Sequence, residues 1–176
     1  MNLRSKRLFL KEADWEDVED FHLYFSNTKI HEFNTIILPE TIDHTKGILA
    51  PFISDKMNNT RKLYTWAVKL PDNMQFIGEV GMTRSLNRFN LAEIYYGLLP
   101  NYWHQGYATE MVQRVVRFGF NYLKLHRIEA GVAKENLASI QVLEKSGFQR
   151  EGLRRKLLPV RGEWMDSYLY AILEED

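Results

Sequence analysis

The chain has 176 residues, of which 45% are hydrophobic and 26% are charged. Its 23 Lys and Arg residues balance 23 Asp and Glu residues, and because general nucleic-acid binding needs a basic excess or stripe, no direct nucleic-acid contact is expected. The absence of cysteine excludes disulfides, thiolate metal sites and cysteine nucleophiles. A chain of this length is expected to form a single domain, residues 1–176.

The N-terminal segment is basic but lacks the apolar stretch of a signal peptide, because Leu8–Leu10 is followed directly by Lys11 and Glu12. No apolar run approaches the roughly 18 residues of a membrane span. We therefore expect a cytoplasmic protein with no membrane partner. The histidines are dispersed, with none at a two-ligand helical spacing, so no metal site is predicted.

Strand and helix signals alternate along the chain, with three consecutive strand signals in the middle that predict an antiparallel meander. Asp14 is placed to cap the first helix, whose apolar positions Trp15, Val18, Phe21 and Phe25 recur at helical spacing. The predicted elements in chain order are a strand over 7–10, a helix from Asp14 to Phe25, a helix over 42–57, strands over 63–70, 76–83 and 92–99, a helix from Gly106 to Tyr122, a strand over 128–133, a helix over 136–146, and strands over 149–159 and 164–173.

The segment from Trp103 to Thr109 lies between a predicted strand and a predicted helix, where the backbone can hold a polyanion. The first N–H groups of a helix lack acceptors within the helix, and the helix dipole adds partial positive charge there. Gly106 has no Cβ to keep a phosphate from the backbone, and the small Ala108 keeps that approach open. The pattern suits a pyrophosphate, although an ordinary strand-to-helix turn has the same pattern. Neither a Gly-x-Gly-x-x-Gly motif nor a Walker lysine is present.

Two further features bear on this turn. Gly97 interrupts the strand before it, and a glycine inside a strand often marks a bulge or a close backbone approach. Downstream, Asn136 and Gly147 flank a short helix, where they serve equally well as an ordinary helix cap and helix end. None of these features is specific by itself.

Taken together, these blocks resemble the GNAT superfamily of N-acetyltransferases, and most of all its RimJ/RimL-type branch, which acetylates N-terminal amines of ribosomal proteins. The likeness covers nearly the whole chain, with Arg7–Leu8 and Tyr168 also fitting the branch. It implies an α/β (α+β) single-domain fold, with a mixed, mostly antiparallel sheet of about seven strands that is splayed in the middle and flanked by about four helices. The strings that carry the resemblance are Glu93–Leu98, Tyr102–Glu110, Glu135–Ser139 and Lys145–Phe148.

The resemblance also implies where acetyl-CoA, the co-substrate, binds. The two central strands would splay apart at the bulge, and the backbones of Leu98 and Leu99 would bond the pantetheine arm like a missing strand. Asn136 would hydrogen-bond the pantetheine, Ser139 would lie near the sulfur, and Lys145 would lie near the adenosine end unless it is simply a solvated surface residue. The pyrophosphate is expected on the N–H groups of His104, Gln105, Gly106, Tyr107, Ala108 and Thr109.

The reaction implied is direct attack of a neutral amine on the thioester carbonyl within a ternary complex. Glu93 is the candidate base, and its alternative is a solvent-facing strand residue. Many GNAT enzymes supply the acid as a tyrosine seven residues after the asparagine, but that position is Leu143 here. Ser139 is the remaining hydroxyl for the acid, and its alternative is a contact with the co-substrate only. A backbone N–H at Leu98 or Leu99 is expected to stabilise the oxyanion.

The acceptor is expected to be a primary amine, with a protein N-terminal α-amine as the leading expectation. A small-molecule amine, such as an antibiotic, a polyamine or an amino acid, is the first alternative. A catalytically silent acyl-CoA-binding module is the second, because Leu143 replaces the usual acid. One sequence leaves open whether the protein is a monomer or a homodimer.

Three sets of residues offer weaker hints about the acceptor. Six acids and no basic residue occur from Glu12 to Asp20, a pattern that attracts cations but is also typical of a solvated helix face. A late basic cluster, Arg150 with residues 154–156, fits either contact with an acidic ligand or an ordinary surface. The aromatic residues that fit either an acceptor pocket or the core are Phe25, Phe33, Tyr64, Trp66 and Trp164.

Overall fold

The computed structural model describes residues 1–176 and shows one eight-stranded sheet with α-helices on both faces. None of the helices has both the length and the apolar character that crossing a membrane requires. The strands are β1 (Leu3–Arg4), β2 (Phe9–Glu12), β3 (Leu63–Lys69), β4 (Phe76–Arg84), β5 (Leu91–Leu98), β6 (Arg127–Ala133), β7 (Gln149–Val160) and β8 (Glu163–Leu173). The α-helices are α1 (Val18–Phe25), α2 (Ile42–Asp55), α3 (Tyr107–Asn121) and α4 (Leu137–Lys145).

The sheet is antiparallel except at its centre. Neighbouring strands follow the order β1-β2-β3-β4-β5-β6-β8-β7, and only β5 and β6 run parallel. The predicted meander is confirmed as β3, β4 and β5. The mixed, mostly antiparallel sheet with four helices is also confirmed, with eight strands where about seven were expected.

The additional strand comes from the N-terminus. The sequence predicts one strand over 7–10, but the structure has a hairpin of β1 and β2. The turn between them closes with a hydrogen bond of 3.0 Å from the Ser5 N–H to the Leu8 carbonyl. Arg7 lies in this turn and outside both strands, because its N–H donates to the Glu110 carboxylate at 2.7 Å.

The first helix also begins differently from its prediction. A 3-10 turn over Trp15–Asp17 precedes α1. The Asp14 carboxylate accepts from the Trp15 N–H at 2.7 Å, and the Asp17 carboxylate accepts from the Asp14 N–H at 3.0 Å, which is a reciprocal cap. Trp15 in this first turn is 49% exposed, so its placement on the buried face is wrong, whereas the later apolar positions of α1 are buried.

The two faces of the sheet bury separate cores. α3 and α4 cover one face, and α3 contributes the predicted stripe that includes Met111, Val112 and Val115. Tyr122, at the far end of that stripe, is 61% exposed because it follows the last turn of the helix. α1 and α2 cover the other face with a smaller core around Phe21. β5 has helices on both faces, because Tyr24 of α1 approaches Gly97 and Phe52 of α2 packs against Tyr95 on the side opposite to α3.

Gly97 lets a side chain from α1 come close to β5, and it does not mark a β-bulge. The register of β4 with β5 runs without a shift, so the bulge expected at Gly97 is absent from this pairing. A Cβ built on Gly97 would lie 2.0 Å from the Tyr24 hydroxyl, and Tyr24 is fully buried. Glycine is required here because the α1 tyrosine lies directly on the strand.

Glu79 is a buried acid in the middle of the sheet. It lies between Ala67 of β3 and Gly97 of β5, and only 4% of its surface is exposed. Burial raises its pKa from 4.5 to about 8, because a carboxylate loses its hydration in the interior and no partner compensates for the loss. Glu79 is therefore mostly protonated at neutral pH in the folded chain.

We expect this raised pKa to make the stability of the fold depend on pH. Between about pH 4.5 and about pH 8 the folded chain retains the Glu79 proton that the unfolded chain has lost, so the free energy of unfolding falls as pH rises, by at most about 1.4 kcal/mol per unit. Urea unfolding across this range should show the advantage of Glu79→Gln over the wild type growing with pH. The control Glu19→Gln, an exposed acid on α1, should run parallel to the wild type. A Glu79→Gln profile that is also parallel would contradict the raised pKa.

Candidate active site

The two central strands pair over three residues and then separate. Residues 91–93 of β5 pair with residues 127–129 of β6, and the pairing ends there. Ladder bonds alternate in direction along an antiparallel strand, and the Leu99 N–H already donates to the Ile77 carbonyl of β4 at 2.8 Å. The Leu98 N–H therefore points away from β4 and into the gap. The sheet is splayed in the middle as expected, at a break in pairing and without a bulge.

Of the two residues predicted to bond the pantetheine arm, only Leu98 has a backbone N–H to offer. The Leu98 carbonyl accepts from the indole N–H of Trp103 at 2.7 Å. Leu99 uses both of its backbone groups within the protein, because its carbonyl also accepts from the Tyr102 N–H at 2.9 Å. A donor to a ligand at this point of the gap must therefore be the Leu98 N–H.

The gap opens into a cleft of about 830 Å³ whose walls come from both faces of the sheet. The loop after α1 and strand β7 form one side, and the N-terminal ends of α3 and α4 form the other. Two predicted site residues, Leu99 and Gln105, do not line the cleft. The predicted residues that do line it are Glu93, Leu98, His104, Gly106, Tyr107, Ala108, Thr109, Asn136, Ser139 and Lys145.

The turn that opens α3 presents a row of backbone N–H groups without acceptors. Gly106 caps the helix in the left-handed conformation, with φ of 78°, and His104 also has a positive φ of 58°. The first helical bond runs from the Glu110 N–H to the Gly106 carbonyl at 3.1 Å, and no N–H from His104 through Thr109 donates within the protein. Such a row at a helix N-terminus favours an anion.

A contact from the N-terminal hairpin fixes this turn. The Glu110 carboxylate accepts from the Ser5 hydroxyl at 2.8 Å and from Arg7 Nε at 2.7 Å. Arg7 Nη1 also donates to the Gln105 carbonyl at 3.0 Å, and the guanidinium lies 4.5 Å from the centre of the Tyr107 ring. Burial alone would raise the pKa of Glu110, but the hydrogen bonds from Arg7 and Ser5 lower it. We call the Arg7–Glu110 pair the turn clamp.

Three cationic side chains lie around the outer side of the same turn. Lys6, Arg117 and Lys145 line a depression of about 500 Å³ together with Gly106 and Thr109. Lys145 lines both this depression and the cleft, and none of the three cations forms an ion pair. The depression therefore favours further negative charge next to the row of N–H groups.

The first turn of α4 forms the opposite wall of the gap. Asn136 Oδ1 accepts from the Ser139 N–H at 3.0 Å, so Asn136 does cap the helix. Capping uses only the oxygen of the amide, and the Nδ2 group remains available as a donor on the cleft side.

Sequence reasoning missed the partner of the Ser139 hydroxyl. Tyr96 of β5 places its hydroxyl 2.8 Å from Ser139 Oγ and 3.2 Å from the Ser139 carbonyl. Burial raises the pKa of Tyr96 far above its ordinary value, and the contact with Ser139 offsets only part of the rise. Leu143, at the position of the usual tyrosine, is fully buried in the core. Tyr96 lies within the Glu93–Leu98 string of β5, but nothing in that string marks a hydroxyl that reaches α4.

Glu93 stands at the mouth of the gap. It is the last residue of β5 that pairs with β6, it is exposed, and it lines the cleft. A Cβ built on Gly131 of β6 would lie 3.6 Å from both Glu93 Oε1 and Ser167 Oγ. The carboxylate therefore lies over β6 near the Ser167 hydroxyl, where it can accept a proton from an amine in the cleft.

The end of the cleft away from α3 carries charges of both signs. Lys29 and Glu32 come from the loop after α1, and Arg154 comes from β7. Arg154 is thus the member of the late basic cluster that reaches the cleft, with Phe33 beside it in the lining. No group of three or more His, Asp or Glu side chains lies close enough together to hold a metal ion.

The other hints about the acceptor lie outside the cleft. Every acid from Glu12 to Asp20 except Glu19 forms an ion pair with a lysine or arginine of the surrounding structure, so the segment is largely neutralised. Among the aromatic candidates only Phe33 lines the cleft. The candidates that do not are Phe25, Tyr64 and Trp66, which are buried in the cores, and Trp164, which is exposed.

Comparison with known proteins places this geometry in a family. The family model described as the acetyltransferase (GNAT) domain matches residues 7–149. The uncharacterized N-acetyltransferase YnaD of Bacillus subtilis (strain 168) is 32% identical over 176 residues, which cover 100% of this chain and 99% of YnaD.

Two solved structures share the fold. The ribosomal-protein-S5-alanine acetyltransferase from Vibrio fischeri has a TM-score of 0.88 at 20% identity, covering 100% of this chain and 98% of that chain. The spermidine N-acetyltransferase from Vibrio cholerae, in complex with CoA and spermine, has a TM-score of 0.84 at 22% identity, covering 97% of this chain and 98% of that chain. With the family model matching most of its length, the chain belongs to the GNAT family of acetyltransferases and is an acetyl-CoA-dependent N-acetyltransferase.

Proposed function

We propose that the chain transfers the acetyl group of acetyl-CoA to the α-amine of a polypeptide N-terminus, by direct attack in a ternary complex. The observation that carries this proposal is the break between β5 and β6, because it joins both faces of the sheet in one cleft. The co-substrate enters from the side of α3 and α4, and the acceptor enters between the loop after α1 and β7.

The backbone holds most of the co-substrate. The N–H row from His104 through Thr109 accepts the pyrophosphate, and Lys145 lies at the adenosine end together with the other two cations of the depression. The pantetheine arm lies along β5, where the Leu98 N–H and Asn136 Nδ2 are the free donors. This arrangement needs no metal, since the helix N-terminus and the cations supply the positive charge.

Three residues meet the chemical demands of the transfer. Glu93 takes the proton of the attacking amine, directly or through water. The Leu98 N–H donates to the carbonyl oxygen as it becomes negatively charged, an effect commonly worth about 3 kcal/mol. Ser139 protonates the departing sulfur, in place of the tyrosine that Leu143 replaces. The sequence left Leu98 and Leu99 as alternative oxyanion donors, and we now propose the Leu98 N–H.

The charges at the acceptor end favour an N-terminal amine over a polyamine. A polyamine carries several ammonium groups at neutral pH and needs an acidic wall, whereas Lys29 and Arg154 oppose Glu32 and Glu93 here. An α-amine has a pKa of about 7.7–8.0, against about 10.4 for lysine, so a single carboxylate suffices to deprotonate it. The names of the two solved neighbours include both kinds of acceptor, so the choice depends on these side chains.

The acceptor is tested by measuring free CoA release with a panel of amines. The panel contains peptides with free N-termini, lysine peptides with blocked N-termini, spermidine, free amino acids and aminoglycosides. Free N-termini are expected to react fastest. Faster reaction of spermidine or of an amino acid would replace the proposed acceptor, and no release above the rate with water would contradict transfer to these amines.

We expect Glu93→Gln to lower kcat by about 10²–10⁴-fold with the best acceptor of the panel, because the amide cannot take the proton of the amine. The loss should shrink toward high pH, where more of the amine is already neutral. Glu19→Gln is the control, since Glu19 is also exposed but lies on α1 outside the cleft. Unchanged turnover in Glu93→Gln would remove Glu93 from the mechanism.

We expect Arg7→Ala to raise the KM for acetyl-CoA by about tenfold, equivalent to about 1.4 kcal/mol, with little change in kcat. The reason is that Arg7 holds the N–H row in place through the turn clamp. Arg7→Lys keeps the charge but loses the forked contacts to Glu110 and Gln105, so it should resemble Arg7→Ala. Recovery of the wild-type KM in Arg7→Lys would instead indicate simple charge attraction. Arg4→Ala, an exposed arginine of β1, is the control.

A further inference from the structure

Tyr96 of β5 and Ser139 of α4 contact each other across the cleft. Tyr96 is opposite Val80 in the regular β4–β5 pairing, and its ring is packed against the larger core. From there its hydroxyl reaches both Ser139 Oγ, at 2.8 Å, and the Ser139 carbonyl, at 3.2 Å. Both residues line the cleft, so the contact lies where the sulfur of the co-substrate is expected.

Ser139 is held from two directions. Its N–H is fixed by the Asn136 cap at 3.0 Å, and its hydroxyl is fixed by Tyr96. The position one turn further along α4, Leu143, offers no hydroxyl. A serine used as a proton donor needs its O–H aimed at the sulfur, and a donor behind its oxygen provides that orientation.

We propose that Tyr96 is a positioning residue for acetyl transfer, and that its hydroxyl donates to Ser139 Oγ so that the Ser139 proton is directed at the sulfur of the leaving thiol. This inference rests on the proposed function, in which Ser139 supplies that proton. Tyr96 from β5 then compensates for the absence of a tyrosine at position 143 of α4.

The proton balance of this step is complete. The C–S bond of the thioester breaks, the sulfur keeps the electron pair, and the Ser139 proton passes to it. Tyr96 keeps its own proton, because burial raises the pKa of its phenol, and its hydrogen bond stabilises the charge that develops on Ser139 Oγ until water returns a proton. Glu93 releases the proton of the amine to solvent, so each turnover yields one thiol and one amide.

The opposite hydrogen-bond direction has a different consequence. If the Tyr96 hydroxyl instead donates its hydrogen bond to the Ser139 carbonyl, the Ser139 hydroxyl donates to the phenol oxygen and points away from the sulfur. Removing the phenol oxygen would then free the serine, and turnover would stay constant or rise. The two directions are therefore separated by the sign of a single kinetic change.

The test is a double-mutant cycle of Tyr96→Phe and Ser139→Ala. Tyr96→Phe should lower kcat by about 10- to 100-fold, the usual size of a hydrogen bond to a group that becomes charged, while the KM for acetyl-CoA stays within about twofold. In the Ser139→Ala background, Tyr96→Phe should change kcat by less than about twofold, because a residue that acts through Ser139 has nothing left to position. A merely structural tyrosine would lower kcat equally in both backgrounds.

Tyr170→Phe is the matched control. The Tyr170 hydroxyl donates at 3.0 Å to Glu144 of α4, the helix that also carries Ser139. Neither Tyr170 nor Glu144 lines the cleft, so kcat should stay within about twofold. Equal losses in the two backgrounds, or no loss in Tyr96→Phe alone, would overturn the inference. If Ser139→Ala alone retains the wild-type kcat, both the proposed acid and the role of Tyr96 are wrong.

A second readout separates this inference from the choice of acceptor. The slow hydrolysis of acetyl-CoA by water needs the same proton on the sulfur but no amine. If no amine of the panel is acetylated, the proposed acceptor fails, and the cycle is measured on hydrolysis instead. Coupling of Tyr96 and Ser139 in that reaction would support the inference, and independent effects would overturn it.

Discussion

The row of backbone N–H groups from His104 through Thr109 is the feature on which the rest of the site depends. These donors have no acceptor within the protein, and Gly106 begins the helix behind them in a left-handed conformation that few other residues accept. A pyrophosphate bound there, as we propose, would accept charge-assisted bonds from these donors. The turn clamp of Arg7 and Glu110 ties this row to the N-terminal hairpin, far away in the sequence.

The second feature of the site is the break in pairing between β5 and β6. A ligand held at the α3 turn can extend into the gap only because pairing stops after Glu93. The two helix layers bury separate cores and leave the gap between them. Glu93 and Leu98 of β5 therefore line the same cleft, where we propose that the acceptor amine and the co-substrate meet.

Local patterns predicted those parts of the fold that local chemistry determines. The apolar stripe of α3, the three-strand meander and the cap at Asn136 all follow from spacing and residue type, and all are found. Arg7 was misplaced in a strand because its N–H is used by Glu110, a partner 103 positions away. The prediction of a bulge at Gly97 was wrong for a similar reason, since the glycine accommodates Tyr24 of a helix that is distant in sequence.

The site shows the same division between local and long-range information. The residues of the N–H row are consecutive in sequence, and Asn136 caps the helix that begins at the next residue, so local patterns were enough to predict both. Tyr96 could not, because its partner Ser139 is brought to it by the packing of α4 on the sheet, and nothing in the string around Tyr96 marks a hydroxyl that reaches across a gap. Leu99 was included with Leu98 because the direction of ladder bonds is decided by the register with β4.

The central claim is tested most directly by following the amide signals of the ¹⁵N-labelled protein while CoA is added. None of the residues from His104 through Thr109 is a proline, so each gives its own amide signal. We expect these signals to shift more than any others and to saturate with one CoA per chain, and we expect inorganic pyrophosphate to compete for them. Saturation of the protein with CoA while these signals remain unchanged would contradict the central claim.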